Sequence, residues 1–204
     1  YKFDGARVQI HKKNGSVRIF SRRLTDVTVS IPEIVDEAVN GVSADEVILD
    51  GEVIAVGLNG KPLPFQDLMR RFTKVKNIEE EMKRIPLKLY VFDVIYLNGR
   101  QLIDEPYSQR WSILEQIAKK VNLAPRIVTS SISEAEEFMK KALNEGHEGV
   151  VAKALNSPYV PGTRGRLWLK LKAADYLDLV ITGAQWGYGR RTGWLSDYFL
   201  AALD

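Results

Sequence analysis

The opening stretch YKFDGARVQIHKKNGSVRIFSRR, residues 1–23, decides how the rest of the chain is read. From Val8 to His11 apolar and polar residues alternate, as they do in a half-buried strand. Asn14-Gly15 then separates RVQIHKK from SVRIFSRR, the strongest short-range signal for a two-residue hairpin. The chain therefore opens with an antiparallel pair. Its first seven residues break the alternation, and Gly5 interrupts them at a point where a backbone can come close to a ligand. Taken alone, Lys2-x-Asp4-Gly5 fits either a frayed edge with a surface lysine or a working motif.

Working outward, SIPEIVDEAVN predicts a helix with Ser30 as N-cap, a proline in its first turn, and Ile31, Ile34, Val35 and Ala38 at helical spacing, ending before Gly41. EVILDGEVIAVGLNGKPL reads as a strand run broken at Asp50-Gly51-Glu52. PFQDLMRRF and IEEEMKRI read as short helices, and LKLYVFDVIYLNG as a strongly apolar strand closed by Asn98-Gly99. SQRWSILEQIAKK has helical periodicity, and Ser133 with Glu136 predicts a capping box opening a helix stopped at Gly146. GVVAKAL and RLWLKLK follow as strands. The last stretch, DLVITGAQWGYGRRTGWLSDYFLAALD, reads as two strands around a glycine-rich basic loop. Strands paired through hairpins outnumber helices, so the expected class is α+β with antiparallel sheets flanked by helices.

At 204 residues without a cysteine, the chain can bury a substantial core unaided by disulfides, and thiolate zinc sites are excluded. No apolar run matches a membrane span and no export signal opens the chain, so a cytoplasmic location without membrane partners is the default expectation. The chain lacks a starting methionine and opens inside a motif, and is read as a fragment. Its 29 basic and 26 acidic residues give a net charge of only +3, so basic clusters carry more information than the total.

The clusters that could converge are Lys2 with Asp4 and Arg7, Asp50 with Glu52, Phe92-Asp93, and Glu148 with Lys153, Lys170 and Lys172. Neither a Ser-His-Asp set nor a Walker-type phosphate loop is present. A lysine near its usual pKa of about 10.4 has well under ~0.1% free amine at neutral pH, so a nucleophilic Lys2 needs burial or neighbouring cations. Lys170 and Lys172 would help, and Glu52 and Glu148 would oppose unless they engage a divalent cation. In WLKLK the two lysines share one strand face and Leu169 and Leu171 the other. Asp4 and Asp50, each before a glycine, read as orienters of turns rather than metal ligands.

KFDGAR, LDGEVIAV, VFDVIYLNG, EGVVAK and WLKLK, in this order and spacing, resemble the ordered motifs of the covalent nucleotidyltransferases: ATP-dependent DNA ligases, RNA ligases and mRNA capping enzymes. FSRR and GAQWGYGRRTGWLSDYFLAA are most similar to the archaeal and eukaryotic replicative type of ATP-dependent DNA ligase. The resemblance implies an adenylation domain over residues 1–175 and the truncated start of an OB-fold domain over 176–204, the boundary falling between Ala173 and Leu177. It implies that Lys2 takes AMP from ATP as a covalent adduct. Arg7 and Arg22 would contact ribose or phosphate, and Glu52 the ribose hydroxyl. Phe92 would stack on adenine with Val150 opposite. Glu148, with Glu52, would bind Mg²⁺, while Arg164, Lys170 and Lys172 hold the phosphates. Arg23, Arg190 and Arg191 are candidates for contacts to DNA phosphates. The implied partner is nicked double-stranded DNA, met in replication, repair and recombination by a monomeric, nucleoid-associated enzyme, with a sliding clamp engaged through segments outside these residues. The rivals are an RNA ligase, a capping guanylyltransferase, and a non-catalytic module whose lysines only bind phosphate.

Overall fold

The first hairpin forms where Asn14 and Gly15 both take positive φ, 49° and 80°, which gives the turn the twist the strands require. It joins β1 (Ala6–Lys13) to β2 (Ser16–Ser21). The computed structural model describes residues 1–72, 74–162, 167–173 and 177–202. After the hairpin come α1 (Pro32–Gly41), β3 (Glu46–Ala55), α2 (Phe65–Phe72), α3 (Ile78–Arg84), β4 (Leu87–Leu97), β5 (Arg100–Gln101), α4 (Tyr107–Ile117), β6 (Asn122–Leu123), α5 (Ile132–Asn144), β7 (Gly149–Lys153), β8 (Trp168–Lys172), β9 (Val180–Trp186) and β10 (Leu195–Ala201). They divide into two compact units, Tyr1–Lys172 and Ala173–Asp204.

In the first unit, β2, β1, β3, β4 and β5 form an antiparallel sheet in that order, and β6 adds a short parallel pairing to β4. Val8, Ile10, Ile19, Leu49, Val53, Leu89 and Val91 turn to one side and pack with Ile34 and Ala38 of α1 and Trp111 and Leu114 of α4. Each such fully buried aliphatic side chain stabilises the fold by roughly 1.5–3 kcal/mol. Polar residues occupy the alternate positions of the same strands, with Arg7 opposite Glu52 and Gln9 opposite Asp50 in register. A separate antiparallel pair, β7 with β8, is tied to the opening segment by a bridge between Lys2 and Gly149. The second unit contributes the β9–β10 pair, with Gly189–Arg191 in a 3₁₀ turn between its strands.

Three local expectations change. α1 is entered through Ile31 with Pro32 at its first position and no side-chain cap, because Ser30 closes a preceding 3₁₀ turn. α5 is capped by Ser131, whose hydroxyl accepts from the Glu134 amide, so the Ser-x-x-Glu box lies two residues earlier than Ser133 and Glu136. β3 runs unbroken through Asp50-Gly51-Glu52. Gly51 is there because a Cβ would meet the Tyr90 carbonyl oxygen at 2.9 Å across the sheet.

Candidate active site

Backbone geometry explains why the opening motif breaks strand alternation. The Lys2 amide donates to the Gly149 carbonyl at 2.8 Å and the Glu148 amide donates to the Lys2 carbonyl at 3.0 Å, so Lys2 and Glu148 sit side by side at the start of β7. Gly149 allows this with φ +139°, and a Cβ there would lie 2.1 Å from the Leu171 carbonyl oxygen. Gly5 has the same role toward β3, since its Cβ would meet the Val53 carbonyl oxygen at 2.5 Å and Glu52 Cγ at 2.7 Å. The short motif is therefore a close-packed crossing between two sheets rather than a frayed edge.

Lys2 Nζ contacts Glu148 Oε2, and Lys172 Nζ lies 3.0 Å from Glu148 Oε1. Burial is the main cause pulling the Lys2 amine down to about 8, with the charges of Lys172 and Lys170 acting the same way and Glu52 opposing. About a tenth of such an amine is free at pH 7, against well under ~0.1% for an ordinary lysine. Glu52 is pushed up to about 7 by burial and by Asp50, with Lys2, Arg7 and Lys170 pulling it down. Lys2, Glu52, Glu148, Lys170 and Lys172 are thus one electrostatic cluster.

Paired residues in antiparallel strands point to the same side. Val151 pairs with Lys170 and Lys153 with Trp168, so these side chains share the lysine face. Val150 pairs with Leu171 and shares the face of Leu169 and Leu171. The apolar residue on the lysine face is consequently Val151, whereas Val150 lies on the opposite face. Phe92 is the extra residue of a β-bulge, since Gly51 pairs with Val91 and Asp50 with Asp93. Bulges re-aim side chains near sites. The Phe92 ring lies 4.6 Å from Lys153 Nζ, which also sits 3.9 Å from the Trp168 ring and 4.7 Å from the Tyr107 ring. Burial lowers Lys153 to about 8, while Asp93 and Asp50 raise it.

Arg7 makes a two-point ion pair with fully buried Asp50, through Nε at 2.9 Å and one terminal nitrogen at 2.6 Å. Asp50 is therefore a strand residue that holds an arginine, not an orienter of a turn. Asp4 accepts from the Phe65 amide at 3.3 Å, at the start of α2. A second buried pair joins Arg110 to Asp93 at 2.7 and 3.0 Å, and Arg110 also donates to the Ser157 carbonyl at 3.0 Å. Trp168 Nε1 donates to Ser157 Oγ at 3.2 Å. Asp93 and Lys153 stand in the charged clusters of the sequence and gain their partners here; Asp50 as a clamp, Arg110, Tyr159 and Trp168 are additions that sequence reasoning did not make. The signal for Asp93 and Lys153 was local: an aspartate after an aromatic in VFD, and a lysine ending the apolar run GVVAK.

Arg22 and Arg23 lie in the turn immediately beyond the Val8–Ser21 pair, exposed and without an ion pair among the described residues. Arg190 and Arg191 belong to the second unit, where Arg191 donates to Ser196 Oγ at 3.0 Å. Arg164 lies outside the described residues. For a divalent cation, the donor set suits a hard ion: the Glu148 carboxylate, held between Lys2 and Lys172, offers oxygen donors beside the cluster. Among the described residues no three His, Asp or Glu side chains converge as ligands, so phosphate and water oxygens would complete the shell, as Mg²⁺ prefers.

A depressed lysine amine, flanked by ammonium groups that can neutralise phosphates and by carboxylates that can hold a cation, is equipped for nucleotidyl transfer. Residues 1–172 match the model of the ATP dependent DNA ligase domain, and the chain belongs to that family. The chain is 52% identical over 205 residues to DNA ligase 1 of Korarchaeum cryptofilum and 51% identical over 207 residues to the DNA ligase of Thermococcus onnurineus. All of the chain is covered in both, but it spans only 38% and 37% of those relatives. Among solved structures it resembles mycobacterial DNA ligase D complexed with ATP and MES, with a TM-score of 0.67 and 28% identity over 90% of this chain and 56% of that one. The ligase domain from M. tuberculosis LigD gives 0.70 and 28%, over 88% and 55%. The fold is that of ligase adenylation domains, α+β with antiparallel sheets. No helix among the described residues is long and apolar enough to cross a membrane.

Proposed function

We propose that this chain is the adenylation part of an ATP-dependent DNA ligase and that Lys2 is its nucleophile. The observation that carries the reading is the pairing of Lys2 with Gly149 and Glu148, which sets one amine among Glu52, Glu148, Lys170 and Lys172 in a chain of this family. Lys2 Nζ, as the free amine, forms a bond to the α-phosphorus of ATP while the bond to pyrophosphate breaks, and the amine proton passes to solvent. Lys170, Lys172 and Arg164 stabilise the charge that spreads over the transferring group. Glu52 and Arg7 orient the ribose, and Phe92 with Val151 encloses the base. Glu148, assisted by Glu52, would hold Mg²⁺, which supplies charge neutralisation at the phosphates.

AMP then passes from Lys2 to the 5′-phosphate at a nick, and the 3′-hydroxyl attacks that phosphate with AMP leaving. Arg22 serves the nucleotide; Arg23, Arg190 and Arg191 meet DNA phosphates, which position a duplex without reading its sequence. Residues 1–175 would act as the adenylation domain and 176–204 as the start of an OB-fold domain. In this reading the enzyme is a monomer working at the nucleoid, with a sliding clamp bound elsewhere on a longer chain. The test joins these residues to the flanking segments of the Korarchaeum relative and supplies nicked DNA with ATP and Mg²⁺. Sealing that is lost in Lys2→Ala supports the proposal. A preference for GTP, or for nicked RNA, would move the assignment to a capping enzyme or an RNA ligase, and phosphate binding without any adduct would reduce it to a binding module.

A further inference from the structure

The Arg7 guanidinium is held by a hydroxyl that lies 152 residues further along the chain. Tyr159 Oη accepts a hydrogen bond from the Arg7 terminal nitrogen at 2.5 Å and donates one to Asp50 Oδ2 at 2.9 Å. Asp50 is fully buried and Tyr159 is 7% exposed, so the three groups close a ring around a buried carboxylate. The tyrosine is itself fixed: its amide donates to the Ile103 carbonyl at 2.7 Å and its ring meets Trp168 edge-on at 6.2 Å.

A guanidinium has five N–H donors in a rigid fork. In Arg7 the Nε–H and one N–H of the terminal nitrogen go to Asp50, and the other N–H of that nitrogen goes to Tyr159. The two N–H groups of the remaining nitrogen are the ones left for a ligand, on a side chain whose exposure is 40%. A carboxylate can meet an arginine in two ways: side-on through Nε and one terminal nitrogen, or end-on through both terminal nitrogens. The end-on pair would consume the donors that face outward. The Tyr159 hydroxyl, bonded to the Arg7 terminal nitrogen and to Asp50 Oδ2, braces the side-on pair observed here.

We infer that Tyr159 is a positioning residue that locks Arg7 side-on against Asp50 and so keeps the remaining terminal nitrogen of the guanidinium free for the nucleotide. The inference rests on the proposed function, and it ties the loop between β7 and β8 to the first strand of the large sheet. Residues so distant in sequence are thereby set in one geometry, which is what a site needs when small displacements cost large factors in rate.

The test measures ATP-dependent adduct formation in these residues joined to the flanking segments of the Korarchaeum relative, for the parent, Tyr159→Phe, Arg7→Lys and the double variant. Tyr159→Phe is expected to raise the ATP concentration for half-maximal labelling about tenfold, the size of one charge-assisted hydrogen bond. In the Arg7→Lys background the same change is expected to add less than twofold, because a lysine has no side-on pair to lock. A purely structural role would give the same loss in both backgrounds, and that result overturns the inference. Asp50→Asn, of nearly unchanged shape, serves as a second variant: its loss should not add to that of Tyr159→Phe, and full additivity also overturns it. A labelled parent with an unaffected Tyr159→Phe variant sinks this inference alone. An unlabelled parent sinks the proposed function and this inference with it.

Discussion

Replacing Arg110 by methionine is expected to destabilise the first unit by about 3 kcal/mol, because it leaves a charge stranded in the interior. Arg110 and Asp93 are both fully buried, and four of the five guanidinium N–H groups are used: two on Asp93, and one each on the carbonyls of Glu105 and Ser157. Removing one partner of such a pair costs roughly 3–5 kcal/mol. The lower end applies here, since Lys153 already acts electrostatically on Asp93 and can take over part of the counter-charge. In a unit of this size that corresponds to a loss of about 6–12 °C in Tm. Burial already raises the Asp93 carboxyl above its usual range, and Arg110 opposes that. Without Arg110 the folded-state pKa rises further above the unfolded one, so the folded state binds the proton better. The variant should therefore recover stability relative to the parent as pH falls from 7 toward 5. The double change Arg110→Met with Asp93→Leu, which removes both charges, should restore most of the loss at pH 7. Urea unfolding of the three proteins at pH 5 and pH 7 measures all of this. A single variant within about 1 kcal/mol of the parent, or a double variant no better than the single, would refute the reasoning.

Labelling of Lys2 by ATP should rise with pH from 6 through 8 and level off only above about 9, since the amine is lowered to about 8, and Lys172→Met should move that midpoint upward because the Lys172 charge lowers it. Pre-steady-state labelling across pH reads the midpoint directly, and a downward shift would contradict the electrostatic account. Val151→Ala should raise the ATP requirement several-fold while Val150→Ala leaves it unchanged and lowers Tm instead; the reverse pattern would return the base contact to Val150. Gly149→Ala should abolish labelling and lower stability, because its Cβ collides with the Leu171 carbonyl that pairs β7 to β8. A melting curve with a labelling assay checks both effects. Glu148→Gln, which keeps the shape but loses the charge, should raise the Mg²⁺ concentration for half-maximal labelling by tenfold or more, read from a metal titration.

Much of this site was legible because its signals are local. Asn14-Gly15 and Asn98-Gly99 take the paired positive φ values that such dipeptides imply, and WLKLK places its lysines on one face because strand alternation needs no knowledge of the partner. What was not legible depends on neighbours. Val150 and Val151 are indistinguishable in GVVAK until β8 fixes the register. Ser131 and Ser133 both precede a glutamate by three residues, and only the point at which the chain turns selects the cap. Asp50 read as a turn residue because it precedes a glycine, yet Gly51 answers to the Tyr90 carbonyl on the neighbouring strand. Tyr159 carried no signal at all, since its partners are 152 and 109 residues away.

The most direct test of the central claim is intact-protein mass spectrometry with peptide mapping, after the residues joined to the relative's flanking segments are cleared with pyrophosphate and then given ATP and Mg²⁺. The account expects one AMP adduct, mapped to Lys2 and absent in Lys2→Ala. An adduct on another residue, or none with any nucleotide while the protein remains folded, would contradict it.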